Sequence, residues 1–308
     1  MKTFVIDVAR CNGCHTCQVA CKDEHVGNDW TPIAKPQPET GQFWLKLEQE
    51  VRGSVPKVKV AYRPHLCMHC DEAPCMDACP VEGVIYKRED GLVIIDPVSC
   101  TGCRNCVEAC PYHAIYFNEG LNIAQKCTGC AHLLDDGWKE PRCADACPTN
   151  VIRFLDEDEA QKLIGRDELR GHSSEGGVSP IRALLHSSEV GSAKGESQFK
   201  ACASVWRPEL KDRVKPRVYY LNLPGRFIAG TVYDPKEKEV IIGATCALTE
   251  LSTGKVRSSE TDDFGDFWFE ALPEGEYSLE IRMDGKAKSF AGLDTKGKDI
   301  NLGDIPLA

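Results

Sequence analysis

Sixteen of the chain's eighteen cysteines fall between Cys11 and Cys147, in four groups of four. The groups are Cys11, Cys14, Cys17, Cys21; Cys67, Cys70, Cys75, Cys79; Cys100, Cys103, Cys106, Cys110; and Cys127, Cys130, Cys143, Cys147. The first and third share the spacing C-x2-C-x2-C-x3-C, the second widens one gap, and the fourth carries twelve residues in its middle. Whatever fold this stretch adopts must bring those thiols together. Three cysteines at C-x2-C-x2-C wrap one loop around a cubane and offer thiolates to three of its irons. The fourth, three residues on, sits in a helix that leads the chain away.

That geometry explains why, in two-cluster ferredoxins, the fourth cysteine ligates the other cluster, and why a proline commonly follows it. Here Pro80, Pro111 and Pro148 follow Cys79, Cys110 and Cys147, while Lys22 follows Cys21. The spacing is read as four [4Fe–4S] clusters. Zinc and disulfides are the alternatives. The fourth group alone, CTGC…CADAC, could pass for a zinc ribbon. Zinc does not require the third nearby cysteine or the Cys-Pro step, and it does not account for four copies. Disulfide frameworks suit small secreted domains, and this chain has a mass of 34.0 kDa.

A length of 308 residues predicts two or three domains. The net charge of -10, the pI near 5.4 and the lack of any basic run argue against a nucleic-acid surface. Thiolate-bound clusters add negative charge, which Lys22, Lys126 and Arg104, beside the cysteines, could offset; each reads equally well as a solvated surface charge. No apolar run approaches the ~20 residues that span a bilayer. The N-terminus, MKTFVID, reads as a strand, without the charged and apolar regions of a signal peptide or a twin-arginine pair. The expected location is cytoplasmic, or exported in the company of a twin-arginine partner.

The expected fold is α+β: a duplicated ferredoxin-like four-cluster domain over 1–155, then an all-β sandwich of transthyretin or immunoglobulin type over 226–308. Residues 4–8 predict a strand. Residues 22–66 read as an insertion with a strand at 43–47, a turn at Arg52-Gly53 and a strand over 55–61. After each Cys-Pro comes a short β run: VIY at 84–86, AIY at 114–116 and VIRF at 151–154. Two return runs, Leu92 to Ile95 and Leu121 to Ala124, lead to the next cysteine motif, as in a repeated two-strand unit. Residues 156–225 read as a linker or partner-contacting arm, with a helix at 158–169 and a lone Cys202. Seven strands separated by turn signals follow, with Phe264, Phe267, Trp268 and Phe269 as core and Cys246 buried. Catalytic residues are expected to be none: no nucleophile–base set, phosphate loop or paired carboxylates stand out. His15, His65, His69, His113 and His132 flank the cysteines and could ligate iron or tune it, though ordinary supporting roles outweigh ligation for each.

Four tandem motifs with these gaps resemble the iron–sulfur (beta) subunits of the dimethyl sulfoxide reductase family of molybdopterin oxidoreductases. KPRVYYLNL, FGDFWFEALPEGEYSLEI, AQKCTGCAHLLDDGW and YRPHLCMHC resemble the small subunits of its pyrogallol–phloroglucinol transhydroxylase branch. The resemblance implies an electron-transfer subunit, not itself catalytic. Its partner would be a large subunit holding bis-molybdopterin guanine dinucleotide with molybdenum or tungsten. It also implies the ligand sets: Cys11, Cys14, Cys17 and Cys147; Cys67, Cys70, Cys75 and Cys110; Cys79, Cys100, Cys103 and Cys106; Cys21, Cys127, Cys130 and Cys143. The transhydroxylase branch has a degenerate third motif, whereas Cys100, Cys103, Cys106 and Cys110 are all present here. A complete set suits net electron flow, as in hydroxylation of a phenolic ring. The competing expectations are a respiratory reductase subunit for arsenate or sulfur compounds, a free-standing polyferredoxin, and a mainly structural subunit.

Overall fold

The computed structural model describes residues 1–169 and 211–308; Cys202 and most of the expected arm lie outside them. The N-terminal strand Lys2–Asp7 is the centre of a three-stranded sheet. It runs antiparallel to Ile152–Asp156 and parallel to Val218–Leu221. Alternation divides its side chains between two faces. Phe4 and Ile6 pack into the core that contains the cysteines, while Val5 meets Ala160, Ile164 and Leu221. Ala160 and Ile164 stand four residues apart on the helix Glu157–Leu169, on the one stripe it can bury.

The cysteine-bearing half is built from very short pieces. The helices Thr16–His25, Pro74–Asp77, Asn105–Ala109 and Arg142–Asp145 carry Cys17 and Cys21, Cys75, Cys106, and Cys143. Between them lie two hairpins, Ile85–Lys87 with Val93–Ile95 and Ile115–Asn118 with Ile123–Lys126. Hairpins of this size are marginal by themselves in water. They persist here because their apolar residues share one core with the buried thiols.

Both described ends of 156–225 are built into this half. Arg217, nearly buried, donates from Nε to Asp71 at 2.5 Å and from Nη1 to Glu157 at 3.0 Å, and Thr3 donates to the same Glu157 carboxylate. The chain is therefore fastened next to the cysteines before it enters the sandwich.

Within 22–66, the strands Lys46–Ser54 and Lys57–His65 form a hairpin whose register runs from Lys46 opposite His65 to Ser54 opposite Lys57. The expected strand at 43–47 starts late because Trp44 and Leu45 are buried as core anchors. The expected turn at Arg52-Gly53 is instead strand, and the chain reverses at Val55 and Pro56. Gly53 is needed for close approach: its φ is +85°, and a Cβ there would meet Lys57 O and the Phe227 ring. This hairpin supports the sandwich through the Lys57–Asp266 ion pair, Arg52 to Gly225 O at 2.8 Å, and Asn301 to Ser54 O at 3.0 Å.

The C-terminal half packs two sheets face to face. One holds Arg226–Asp234, Glu239–Val240, Asp266–Leu272 and Ile300–Pro306; the other holds Thr245–Glu250, Val256–Glu260, Glu276–Met283 and Lys286–Asp294. Among the described residues the sandwich thus has eight strands rather than the expected seven. Glu239–Val240 and Thr245–Glu250 are parted by the bend before Thr245, where Gly243 and Ala244 hydrogen-bond to Thr261 and the chain crosses between sheets. Phe267 and Phe269 are core, as is Cys246. Trp268, between them, points the other way and meets Phe227 and Lys59. Phe264 is 74% exposed, because it stands at the tip of a turn and not on a strand.

Candidate metal centres

The four C-x-x-C loops share one backbone device. The residue before the second cysteine takes a positive φ in each: Gly13, His69, Gly102 and Gly129. This curls the loop and turns amides toward sulfur. The Gly129 amide lies 3.4 Å from Cys127 Sγ, and the His69 amide 3.5 Å from Cys67 Sγ. Glycine at 129 is also demanded by space, since a Cβ would sit 2.6 Å from the Leu92 side chain.

The thiols come together across motifs. Burial raises Cys17 to about 12, and Cys11, Cys147 and Cys14 add to it as neighbouring charges. Cys143 and Cys21 are both raised, first by burial and then by Cys127 and Cys130. Cys75 is raised to about 12 by burial and by Cys67 and Cys110. Cys106 is raised to about 11 by burial and by Cys100, Cys103 and Cys79. In each neighbourhood the fourth cysteine of one motif has joined the first three of another. Cys79, Cys100, Cys103 and Cys106 line a common cavity. Cys147 goes the other way: burial raises it, but the amides of Ile152, Val151 and Thr149 outweigh that and lower it.

The neighbourhoods follow one another through space. Cys17 is felt at Cys143, Cys67 at Cys127, and Cys106 at Cys75. At the two ends stand the exposed thiols Cys14 and Cys103; every cysteine of the two middle neighbourhoods is buried.

These residues suit an iron–sulfur cluster. Thiols raised by burial and by one another release their protons when metal binds. Among the described residues no three His, Cys, Asp or Glu side chains close around a point that one metal ion could fill. A cubane, by contrast, spreads its four thiolates over four irons. The Tyr112 hydroxyl, buried with Cys70 and Cys110 among its neighbours, has no protein partner. A cluster sulfur would provide one.

The expected histidines have ordinary partners: His15 with Gln18, His65 with Glu48 at 2.9 Å, His69 with the Val93 amide at 3.0 Å, and His132 with Glu24 at 2.9 Å. For His113 no partner places it on a thiol. Burial, with Lys126 and Lys87, keeps His69 far below the usual imidazole range, so Val93 donates to Nδ1 and Nε2 bears the proton. Two residues were missed in the sequence. His25 is buried and lowered to about 3 by burial and His132, with Nε2 3.9 Å from Cys130 Sγ. Its signal was its place four residues after Cys21, on the same helical face. Tyr112, two residues after Cys110, was visible only as part of Cys-Pro-Tyr.

Fold and site together define an iron–sulfur electron-transfer subunit. Residues 58–157 match the 4Fe-4S dicluster domain family, residues 9–27 a 4Fe-4S binding domain, and residues 228–305 the carboxypeptidase regulatory-like domain. The chain is 38% identical to the pyrogallol hydroxytransferase small subunit of Pelobacter acidigallici, over 99% of this chain and 98% of that one. It is 37% identical to the thiosulfate reductase electron transfer subunit of Salmonella typhi, over 53% of this chain and 81% of that one. It is 39% identical to a chain of the anaerobic dimethyl sulfoxide reductase of Escherichia coli, over 53% of this chain and 77% of that one. This protein belongs to the family of iron–sulfur small subunits of molybdopterin oxidoreductases. No helix among the described residues is long and apolar enough to cross a membrane.

Proposed function

We propose that this chain is the electron relay of a complex whose large subunit carries bis-molybdopterin guanine dinucleotide with molybdenum or tungsten. Its sixteen motif cysteines hold four [4Fe–4S] clusters in the sets named above, in a duplicated ferredoxin-like domain. The observation that carries this reading is the run of four thiol neighbourhoods, exposed at both ends and buried in the middle. Such a run suits entry and exit of electrons at two surfaces. Bound clusters supply one-electron storage, at potentials set by charge, hydrogen bonding and exposure. The chain's own groups hold the thiolates, exclude water from the two middle sites, and direct amides, the Nε2 edge of His25 and the Tyr112 hydroxyl toward sulfur.

The substrate class that fits is a hydroxylated aromatic, from the relative matched end to end. The complete set of Cys79, Cys100, Cys103 and Cys106 favours a reaction with net electron flow. Substrate chemistry lies on the partner. The site of action is cytoplasmic in this reading, and residues 156–225 with the sandwich fasten the complex. Iron and acid-labile sulfide in the anaerobic complex should each approach sixteen atoms per chain, about four per cluster. Cys103→Ser should leave assembly intact while substrate-driven electron export fails. Zinc in place of iron, or turnover undiminished in that variant, would refute the relay.

A further inference from the structure

Lys126 ends the strand Ile123–Lys126 and is only 2% exposed. Its ammonium donates to two backbone carbonyls, Val93 O and Cys127 O, the latter at 3.0 Å. No carboxylate pairs with it among the described residues, in contrast to Lys87 nearby, which pairs with Asp71. A buried cation without a counter-charge is costly by several kcal/mol, so the missing anion has to be found close by. The surroundings name it. Cys127 and Cys67 are neighbours across the joint between the two middle thiol neighbourhoods. Lys126 acts on Cys127 on one side of that joint and on Cys75 and Cys110 on the other.

We propose that Lys126 is the fixed positive charge shared by the two interior clusters, holding both reduction potentials up so that the buried middle of the relay accepts electrons. The proposal rests on the ligand sets proposed above. One-electron reduction adds one negative charge to a cluster. A fixed cation at the joint therefore favours the reduced form on both sides, and more strongly in a dry site than in water. It does little for the outer clusters, where solvent screens it.

The test is an EPR-monitored redox titration of the anaerobically purified complex, comparing the unaltered chain with Lys126→Met, Lys126→Gln and Lys126→Arg. With Met or Gln, two of the four midpoints should fall, each by about tenfold in reduction constant, ~59 mV for a one-electron couple. The other two should stay, and Arg should keep all four near their original values. If Met and Gln lose the interior clusters while Arg retains them, the need for charge is equally upheld. Unmoved midpoints, a uniform shift of all four, or an Arg variant that shifts as far as Met would overturn the proposal. Iron far short of four clusters in the unaltered complex would instead sink the ligand sets themselves, which separates the two failures.

Discussion

The two halves of this molecule solve the same problem with different materials. The sandwich buries apolar side chains between two sheets, with strands such as Glu276–Met283 and Lys286–Asp294 long enough to carry a core. In the cysteine-bearing half the cysteine-carrying helices other than Thr16–His25 have four or five residues, the hairpins between them have strands of three or four, and much of the interior is sulfur. Side-chain burial contributes about 1.5–3 kcal/mol per large apolar residue, so the sandwich can hold itself. The other half draws on metal coordination, because ligand binding there is also folding.

The harshest way to break this comparison is to remove the iron. Chelation under acid and reducing conditions should abolish amide protection over residues 9–27 and 58–157 while residues 228–305 keep theirs. Hydrogen exchange read by mass spectrometry checks this; simultaneous loss in both halves would show that they share one folding unit.

A gentler cut runs the other way. Leu279 is 1% exposed between the sheets and faces Leu248 across its strand pair. Leu279→Ala should destabilise the sandwich by about 2–5 kcal/mol and leave iron per chain unchanged. A drop in iron content would mean that the sandwich props up the cluster half.

The hairpin between the halves offers a pH test. Burial alone would raise Glu48, yet it ends at about 2, because His65 and Arg63 hold its charged form. A carboxylate lowered in the folded state stabilises above its unfolded value near 4.5, and that contribution is lost as pH falls toward about 2. It should be worth up to about 3 kcal/mol. Glu48→Gln should flatten the acid limb of the stability curve in that window; an unchanged limb would assign acid unfolding to the other lowered carboxylates, such as Asp71, Glu157 and Asp266.

The smallest expected effect is at the seam. Lys57→Met removes both the Lys57–Asp266 pair and the ammonium over the Trp268 ring while keeping a side chain of similar length. A cost of about 1–2 kcal/mol is expected, read as weaker protection at the seam, with iron content and the sandwich's own melting unchanged.

Much of the architecture could be read from residues alone, because spacing along the chain is itself geometry. C-x-x-C with a glycine before the second cysteine encodes a curled loop, and alternation encoded the strands and the burial of Phe267, Phe269 and Cys246. Reading failed where a residue's reason was distant. Gly53 looked like a turn because glycine often marks one, whereas Phe227, far along the chain, is what leaves no room there. Phe264 looked like core because it is apolar, but its backbone lies in a turn. Strand Val218–Leu221 lies within the expected linker or arm, yet it pairs with Lys2–Asp7 of the first half.

The charges beside the motifs mark the limit most sharply. Lys22, Lys126 and Arg104 are equivalent on paper, each one residue from a cysteine. In the fold, Arg104 is half-exposed, paired with Glu119 and laid over Phe117. Lys22 is partly buried on Pro38 O and Gln42 O. Lys126 alone of the three is sealed among carbonyls at the joint of two thiol neighbourhoods. Sequence by itself determined which thiols one loop can gather, because the number of residues between cysteines limits how the backbone curls around a common point. Only tertiary structure decided which cation loses its water, because desolvation depends on everything packed around a charge and not on the residue beside it.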